Sequence, residues 1–309
     1  MDFYGFYTGT EFHAHEYLGA HVTDDGVVFR VFAPAASGIA VIGEFNEWNG
    51  DPMNKIYDGN FWECVIPTAK VGQMYKYRIY DQSGGCLDRC DPYGRRMELR
   101  PHSASIICGG GKQKFTDEKW LKTRDGGLDK PLNIYEIHAG SWRCKPDEED
   151  QKDVAEHWYN YRELADLLVP YLKENHYHYV EMMPLAEHPS DESWGYQISG
   201  FFSPTSRYGT PDDLKYLVNK CHNAGIGVIM DFVPVHFAVD DYALWNFDGT
   251  ALYEYPHGDV GKSEWGSCNF MHSRGEVRSF LQSAADYWLA DGRHQQPDLL
   301  AGQSGQRGE

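Results

Sequence analysis

The chain has 309 residues, 41% apolar and 24% charged, the composition of a soluble globular protein with room for a sizeable core. A formal charge of −18 excludes the basic surface that nucleic acid or an anionic membrane requires, and no run is long and apolar enough to span a bilayer. The seven cysteines are scattered, with only Cys86 and Cys90 close together. They read as reduced thiols of a cytoplasmic protein without a zinc site, and the N-terminus has no signal-peptide pattern.

Residues 1–17 form an N-terminal extension. Residues 18–112 carry short runs rich in Val, Ile, Phe and Tyr, such as GVVFRVFAP and MYKYRIYD, separated by Ser-Gly, Asp-Gly-Asn and Ser-Gly-Gly turns. This spacing predicts an all-β sandwich. Residues 113–130 read as a linker, from Ile-Cys-Gly-Gly-Gly-Lys (107–112) just before them and Thr-Arg-Asp-Gly-Gly-Leu-Asp-Lys (123–130) at their end.

From Pro131 the pattern changes to alternating strands and helices. LNIYEIH (132–138), HYVEMMP (178–184) and GVIMDF (227–232) are predicted strands. Residues 160–174 place Leu164, Leu167, Leu168 and Leu172 on one helical face. Thr210 and Pro211 predict the start of a second helix that stops at Gly225, and residues 276–290 predict a third. Residues 131–290 are therefore expected to be about the first three strand–helix units of an incomplete (β/α)8 barrel with a parallel sheet. Fewer residues follow Pro131 than the roughly 250 a complete barrel takes. The tail, residues 291–309, has no hydrophobic period.

The aromatic share is 15%, with nine Trp and 21 Tyr. Such rings either stack on sugars or fill a β-rich core. GIGVIMDFVPVHF (225–237) is an apolar strand ending in Asp231, followed five residues later by His236. Strand C-terminal ends are where barrels of this kind keep their chemistry. Taken singly, Asp231 also reads as a turn cap, His236 as a loop histidine and Tyr196 as core packing. Trp194 reads equally as a structural wall or a contact.

The stretch EMMPLAEHPSDESWGYQISGFFSPTSRYGTPDDLKYLVNKCHNAGIGVIMDFVPVHF (181–237) resembles glycogen (1,4-α-glucan) branching enzymes of the α-amylase superfamily, glycoside hydrolase family 13. YEIHAGSWR (135–143) is similar to that family's first barrel strand, and residues 18–49 to the carbohydrate-binding module before it. The resemblance spans about Tyr17 to Ala290. It implies cleavage of an α-1,4-glucan such as glycogen or amylose and transfer to a 6-hydroxyl by a retaining mechanism, with no metal or organic cofactor. On this resemblance Tyr196 stacks on the sugar, His236 donates to its hydroxyls and Asp231 holds the site's geometry. Trp48, Trp62 and Lys76 are candidates for a glycan-stacking surface on the sandwich. Trp62 also reads as sandwich core, and both rings as part of the interface with the barrel. A noncatalytic glucan-binding module and an amylolytic hydrolase of the isoamylase or trehalose-forming type are the alternatives.

The family's nucleophile lies in a motif like FDGLRMDAIS after the third helix, and no such motif occurs in the chain. The nucleophile, the acid/base glutamate and the third carboxylate are all missing. One back-translation of Asp291 to Gly302, read from its second base, gives MDAISNLIYWQ. The expectation is a small deletion and frameshift just after Ala290, leaving an inactive fragment of a branching enzyme.

Overall fold

Local signals place the elements in the computed structural model, which describes residues 1–124, 130–146 and 157–290. The first part of the chain forms α1 (Phe3–Thr8), β1 (Gly19–Thr23), β2 (Gly26–Phe32), β3 (Gly38–Gly43), β4 (Asp51–Pro52), β5 (Asn54–Ile56), β6 (Phe61–Ile66), β7 (Met74–Tyr80), β8 (Cys86–Arg89) and β9 (Ser105–Ile106). There follow α2 (Glu118–Thr123), β10 (Ile134–Ile137), α3 (Tyr161–Glu174), β11 (Tyr179–Met182), β12 (Ala186–Glu187), β13 (Gly200–Pro204), α4 (Pro211–Asn223) and β14 (Gly227–Met230). The last are β15 (His236–Phe237), α5 (Gly258–Gly261), β16 (Cys268–Asn269) and α6 (Gly275–Ala290). They fall into two compact units. One comprises Met1–Gly110, Ala186–Pro204 and Pro234–Trp288, the other Gly111–Leu185, Thr205–Val233 and the residues from Leu289.

In the first unit, two antiparallel sheets form the sandwich, ordered β1-β2-β6-β5 and β4-β3-β7-β8, with β9 paired to β7. On β7, Tyr75, Tyr77 and Ile79 are buried and alternate with the more exposed Lys76 and Arg78, the period-two pattern of a strand with one face in the core. Gly26 sits at φ +125°, and a Cβ there would lie 2.5 Å from the Ile66 carbonyl oxygen, so only glycine fits between β1 and β2. Asp91 is buried beneath the sheet, where the Tyr75 and Tyr77 hydroxyls donate to its Oδ2 at 2.6 and 3.1 Å.

The N-terminal extension is an ordered part of this unit. Phe6 on α1 packs edge-on against Phe32 and Phe61, with ring centroids 5.1 and 5.4 Å apart. Helix α6 packs on the other side of the segment. Ser279 Oγ donates to the Phe6 carbonyl at 3.0 Å, and the His15 amide donates to Ser283 Oγ at 2.9 Å. At Gly275 a Cβ would come within 1.7 Å of the Tyr7 carbonyl oxygen, so the two backbones touch.

In the second unit, β10, β11 and β14 form a parallel sheet in that order, in register from Ile134↔Tyr179 and from Tyr179↔Gly227. Helices α3 and α4 start on reciprocal caps. Asn160 Oδ1 accepts from the Arg162 and Glu163 amides, and Glu163 accepts from the Asn160 amide. Thr210 and Asp213 do the same for α4, with Pro211 in its first turn. Tyr161, Leu164, Ala165, Leu168 and Leu172 form the buried stripe of α3. The predicted barrel strands and helices are thus observed to within a few residues. Five positions of the predicted linker (125–129) and the frameshift expectation for residues 291–309 lie outside the described residues. Among the described residues no helix is long and apolar enough to cross a membrane.

Candidate functional site

In the first unit, a short loop from Ser190 carries Trp194 and Tyr196. The Trp194 and Tyr196 amides bond to the Asp191 and Ser193 carbonyls at 3.1 and 3.0 Å. Trp194 adopts φ +54° and Gly195 φ +90°, a conformation that non-glycine residues pay for with strain and that turns the indole outward, 57% exposed. Tyr196 is half-buried. Arg100 anchors the loop's start through a two-point ion pair with Asp191.

His236 reaches this loop through backbone pairing. Strand β15 pairs with β16, His236 opposite Asn269, and the Ala238 amide bonds to the Ile198 carbonyl at 3.0 Å. The loop before β16 brings a further aromatic, Trp265. Its ring centroid lies 6.3 Å from that of His236 at 42°, and its carbonyl accepts from Gln197 Nε2 at 3.3 Å. His236, Gln197 and Trp265 are therefore grouped, with Trp194 and Tyr196 on the loop that leads into Gln197. Gln197 and Trp265 went unremarked in the sequence. Gln197 stands inside a quoted motif, and an aromatic in a polar, glycine-containing run was the available signal for Trp265.

Burial lowers the His236 pKa from its ordinary 6.5, so the imidazole is held neutral near pH 7. Its Nδ1 is buried with no hydrogen-bond partner among the described residues. An orphan N–H donor is the rarer burden inside a protein. The favoured tautomer thus leaves Nδ1 bare and puts the proton on Nε2, a donor suited to a sugar hydroxyl.

Asp231 belongs to the second unit. It follows β14 directly, is 9% exposed, and its amide bonds to the Met182 carbonyl at 3.0 Å. Glu181 stands on the neighbouring strand, in register with Glu136 on β10. Burial, then Glu136, then Asp231 raise the Glu181 pKa, so this sheet carries a cluster of interacting carboxylates.

On the sandwich, Trp48 is 38% exposed at φ +62°, and its amide bonds to the Gly43 carbonyl at 2.9 Å. Lys76, paired with Ile42 next to Gly43, donates from Nζ to Ser103 Oγ at 2.9 Å. Trp62 is a correction. It is only 4% exposed, its Nε1 donates to the Ala33 carbonyl at 3.0 Å, and Lys55 Nζ lies 5.0 Å from its ring centroid. Trp62 lies opposite the buried Val31 of β2, on the β6 face opposite to that of Phe61, and it offers no ring face to a glycan.

Residues 17–94 match carbohydrate-binding module 48 (isoamylase N-terminal domain), and residues 166–301 match the alpha amylase catalytic domain. The chain is 46% identical over 294 residues to a 1,4-alpha-glucan branching enzyme GlgB of Fusobacterium nucleatum, covering 94% of this chain and 47% of that protein. It is 45% identical over 299 residues to the GlgB of Nitrosomonas eutropha, covering 94% and 40%. The chain thus spans about half the length of the relatives it matches, or less. The fold is similar to that of a pullulanase from Paenibacillus barengoltzii solved with maltohexaose and alpha-cyclodextrin, with a TM-score of 0.70 and 21% identity, covering 89% of this chain and 47% of that one. The chain is thus similar along nearly its whole length to 1,4-alpha-glucan branching enzymes, and it joins a sandwich matching carbohydrate-binding module 48 to a segment matching part of the alpha amylase catalytic domain.

Proposed function

We propose that this chain supplies the substrate-cradling part of a cytoplasmic glycogen-branching transglycosidase. Its ligand is an α-1,4-glucan such as glycogen or amylose, and the complete enzyme cuts that chain and transfers it to a 6-hydroxyl with retention. The observation that carries this reading is the grouping of His236, Gln197 and Trp265 beside the loop of Trp194 and Tyr196. Flat rings suit the apolar face of a pyranose, and a neutral imidazole suits its hydroxyls. The family resemblance assigns Asp231, at a strand end of the second unit, a separate role in holding the substrate site's geometry. Trp48 and Lys76 provide a second contact on the sandwich.

Retaining transfer needs a nucleophilic carboxylate and an acid/base carboxylic acid. The motif that the family resemblance gives for the nucleophile does not occur in this sequence. The chain alone is therefore expected to bind glucan without transferring it. Affinity electrophoresis in amylose gels tests the binding, and an iodine-stain assay beside a frame-restored version tests the chemistry. Retardation that Trp48→Ala and Tyr196→Ala each reduce, with no iodine shift from this chain and a clear one from the restored version, supports the proposal. No retardation, or no iodine shift from the restored version, refutes it. A noncatalytic module using the sandwich alone is disfavoured by the burial of Trp62, which leaves Trp48 as the one accessible tryptophan of the two candidates.

A further inference from the structure

We propose that Trp265 is a second aromatic wall of the glucan site, stacking on a glucosyl unit next to the one served by Tyr196 and His236. The inference rests on the glucan-site reading above and extends it to a residue with no assigned role.

Exposure of a single tryptophan is ordinary by itself. Here the exposed ring is 68% accessible and sits on a turn that its own hydrogen bonds nearly close. The Ser263 amide donates to the Ser267 carbonyl at 2.8 Å, the Gly266 amide to the Ser263 carbonyl at 3.0 Å, and the two serine hydroxyls are 2.6 Å apart. Gly266 at φ +80° completes the reversal, and Lys262 bridges Cys268 below it. A rigid turn holds an indole outward at little entropic cost when a ligand arrives.

The turn is also tied to the site. Gln197, one residue after Tyr196, donates from its amide nitrogen to the Trp265 carbonyl, and His236 lies against the ring at a tilt, not face to face. The indole face is therefore left for a ligand, while the neighbouring imidazole addresses hydroxyl groups. A flat apolar face bordered by hydrogen-bonding groups is the chemistry of a pyranose site, and the −18 net charge disfavours an anionic ligand. Because Tyr196 and His236 already serve one sugar, a wall beside them serves the next. Its effect must then depend on glucan length.

The test is calorimetric titration of the full chain with the one-unit methyl α-glucoside and with maltoheptaose, in a Trp48→Ala background that removes the sandwich contact. Trp265→Ala is expected to weaken maltoheptaose roughly five- to ten-fold and to leave methyl α-glucoside unchanged, while Trp265→Phe keeps most of the affinity. The thermal midpoint serves as the control for folding and is expected to stay within a few degrees in both variants. Equal losses for the two sugars, or no loss for either, overturn the second wall. A loss on Tyr196→Ala with none on Trp265→Ala overturns the wall and spares the site. Absence of maltoheptaose binding throughout this background overturns both.

Discussion

Arg100 grips both carboxylate oxygens of Asp191, with Nε at 2.8 Å from Oδ1 and Nη2 bonded to Oδ2. The fork of a guanidinium fixes a carboxylate's orientation as well as its position. Asp191 opens the turn that presents Trp194, so a residue from the end of the sandwich sets the aim of the aromatic loop. The pair is partly exposed, 23% and 36%, and is worth about 1 kcal/mol or less to stability. Arg100→Lys keeps the charge and loses the fork. It is expected to weaken maltoheptaose binding several-fold while moving the thermal midpoint by only a few degrees. Affinity that is unchanged beside an intact fold contradicts this positioning role.

His236 gives a pH prediction. Burial lowers its pKa in the folded chain below the ordinary 6.5. A depressed histidine contributes stability that is complete above 6.5 and is lost as the pH falls through the folded value. Glucan affinity is accordingly expected to be flat from pH 8 to 6.5 and to fall only below that. Proton NMR of the His236 ring should give a midpoint under 6.5, and a midpoint at or above 6.5 disproves the burial argument.

Asp91 has the opposite sign. Burial raises its pKa to about 6, against the hydrogen bonds from Tyr75, the Tyr93 amide and Tyr77, which lower it. A carboxyl raised in the folded state favours folding most below its unfolded value near 4, and that contribution is lost as the pH rises through about 6. The shift corresponds to about 3 kcal/mol at most. Asp91→Asn should therefore remove a component of the stability profile that declines between pH 4 and 6. Urea unfolding of both proteins across that range is the measurement. Parallel profiles would show that Asp91 titrates normally.

What was legible in the sequence was local. The Thr210, Pro211 and Asp213 cap, the Gly225 stop and the apolar run at Gly227–Met230 each declare their conformation within a few residues, and the parallel order of β10, β11 and β14 follows from alternation with helices. What was not legible depends on distant pairing. Trp62 faces Val31 on one neighbouring strand and Lys55 on the other, and its burial is decided there. Helix α1 is too short to be stable by propensity and forms because Phe6 finds Phe32 and Phe61. Trp265 meets Gln197 across 68 residues, a separation no motif spans.

The two sandwich tryptophans separate fold from binding. Trp62 is buried and its indole nitrogen is satisfied by the Ala33 carbonyl, so Trp62→Ala leaves a large cavity and leaves that carbonyl with only the weaker bond from the Ala36 amide at 3.4 Å. The cost is expected to be about 3–5 kcal/mol, enough to lower the thermal midpoint of the sandwich by many degrees. Trp48 is 38% exposed and held in the left-handed region by its loop. Its substitution by alanine removes an exposed ring and should change stability by less than about 1 kcal/mol, while reducing retardation in amylose gels. Thermal unfolding and affinity electrophoresis of both variants read the two effects separately. A Trp62→Ala chain that stays as stable as the parent and loses amylose binding would return Trp62 to the glycan surface.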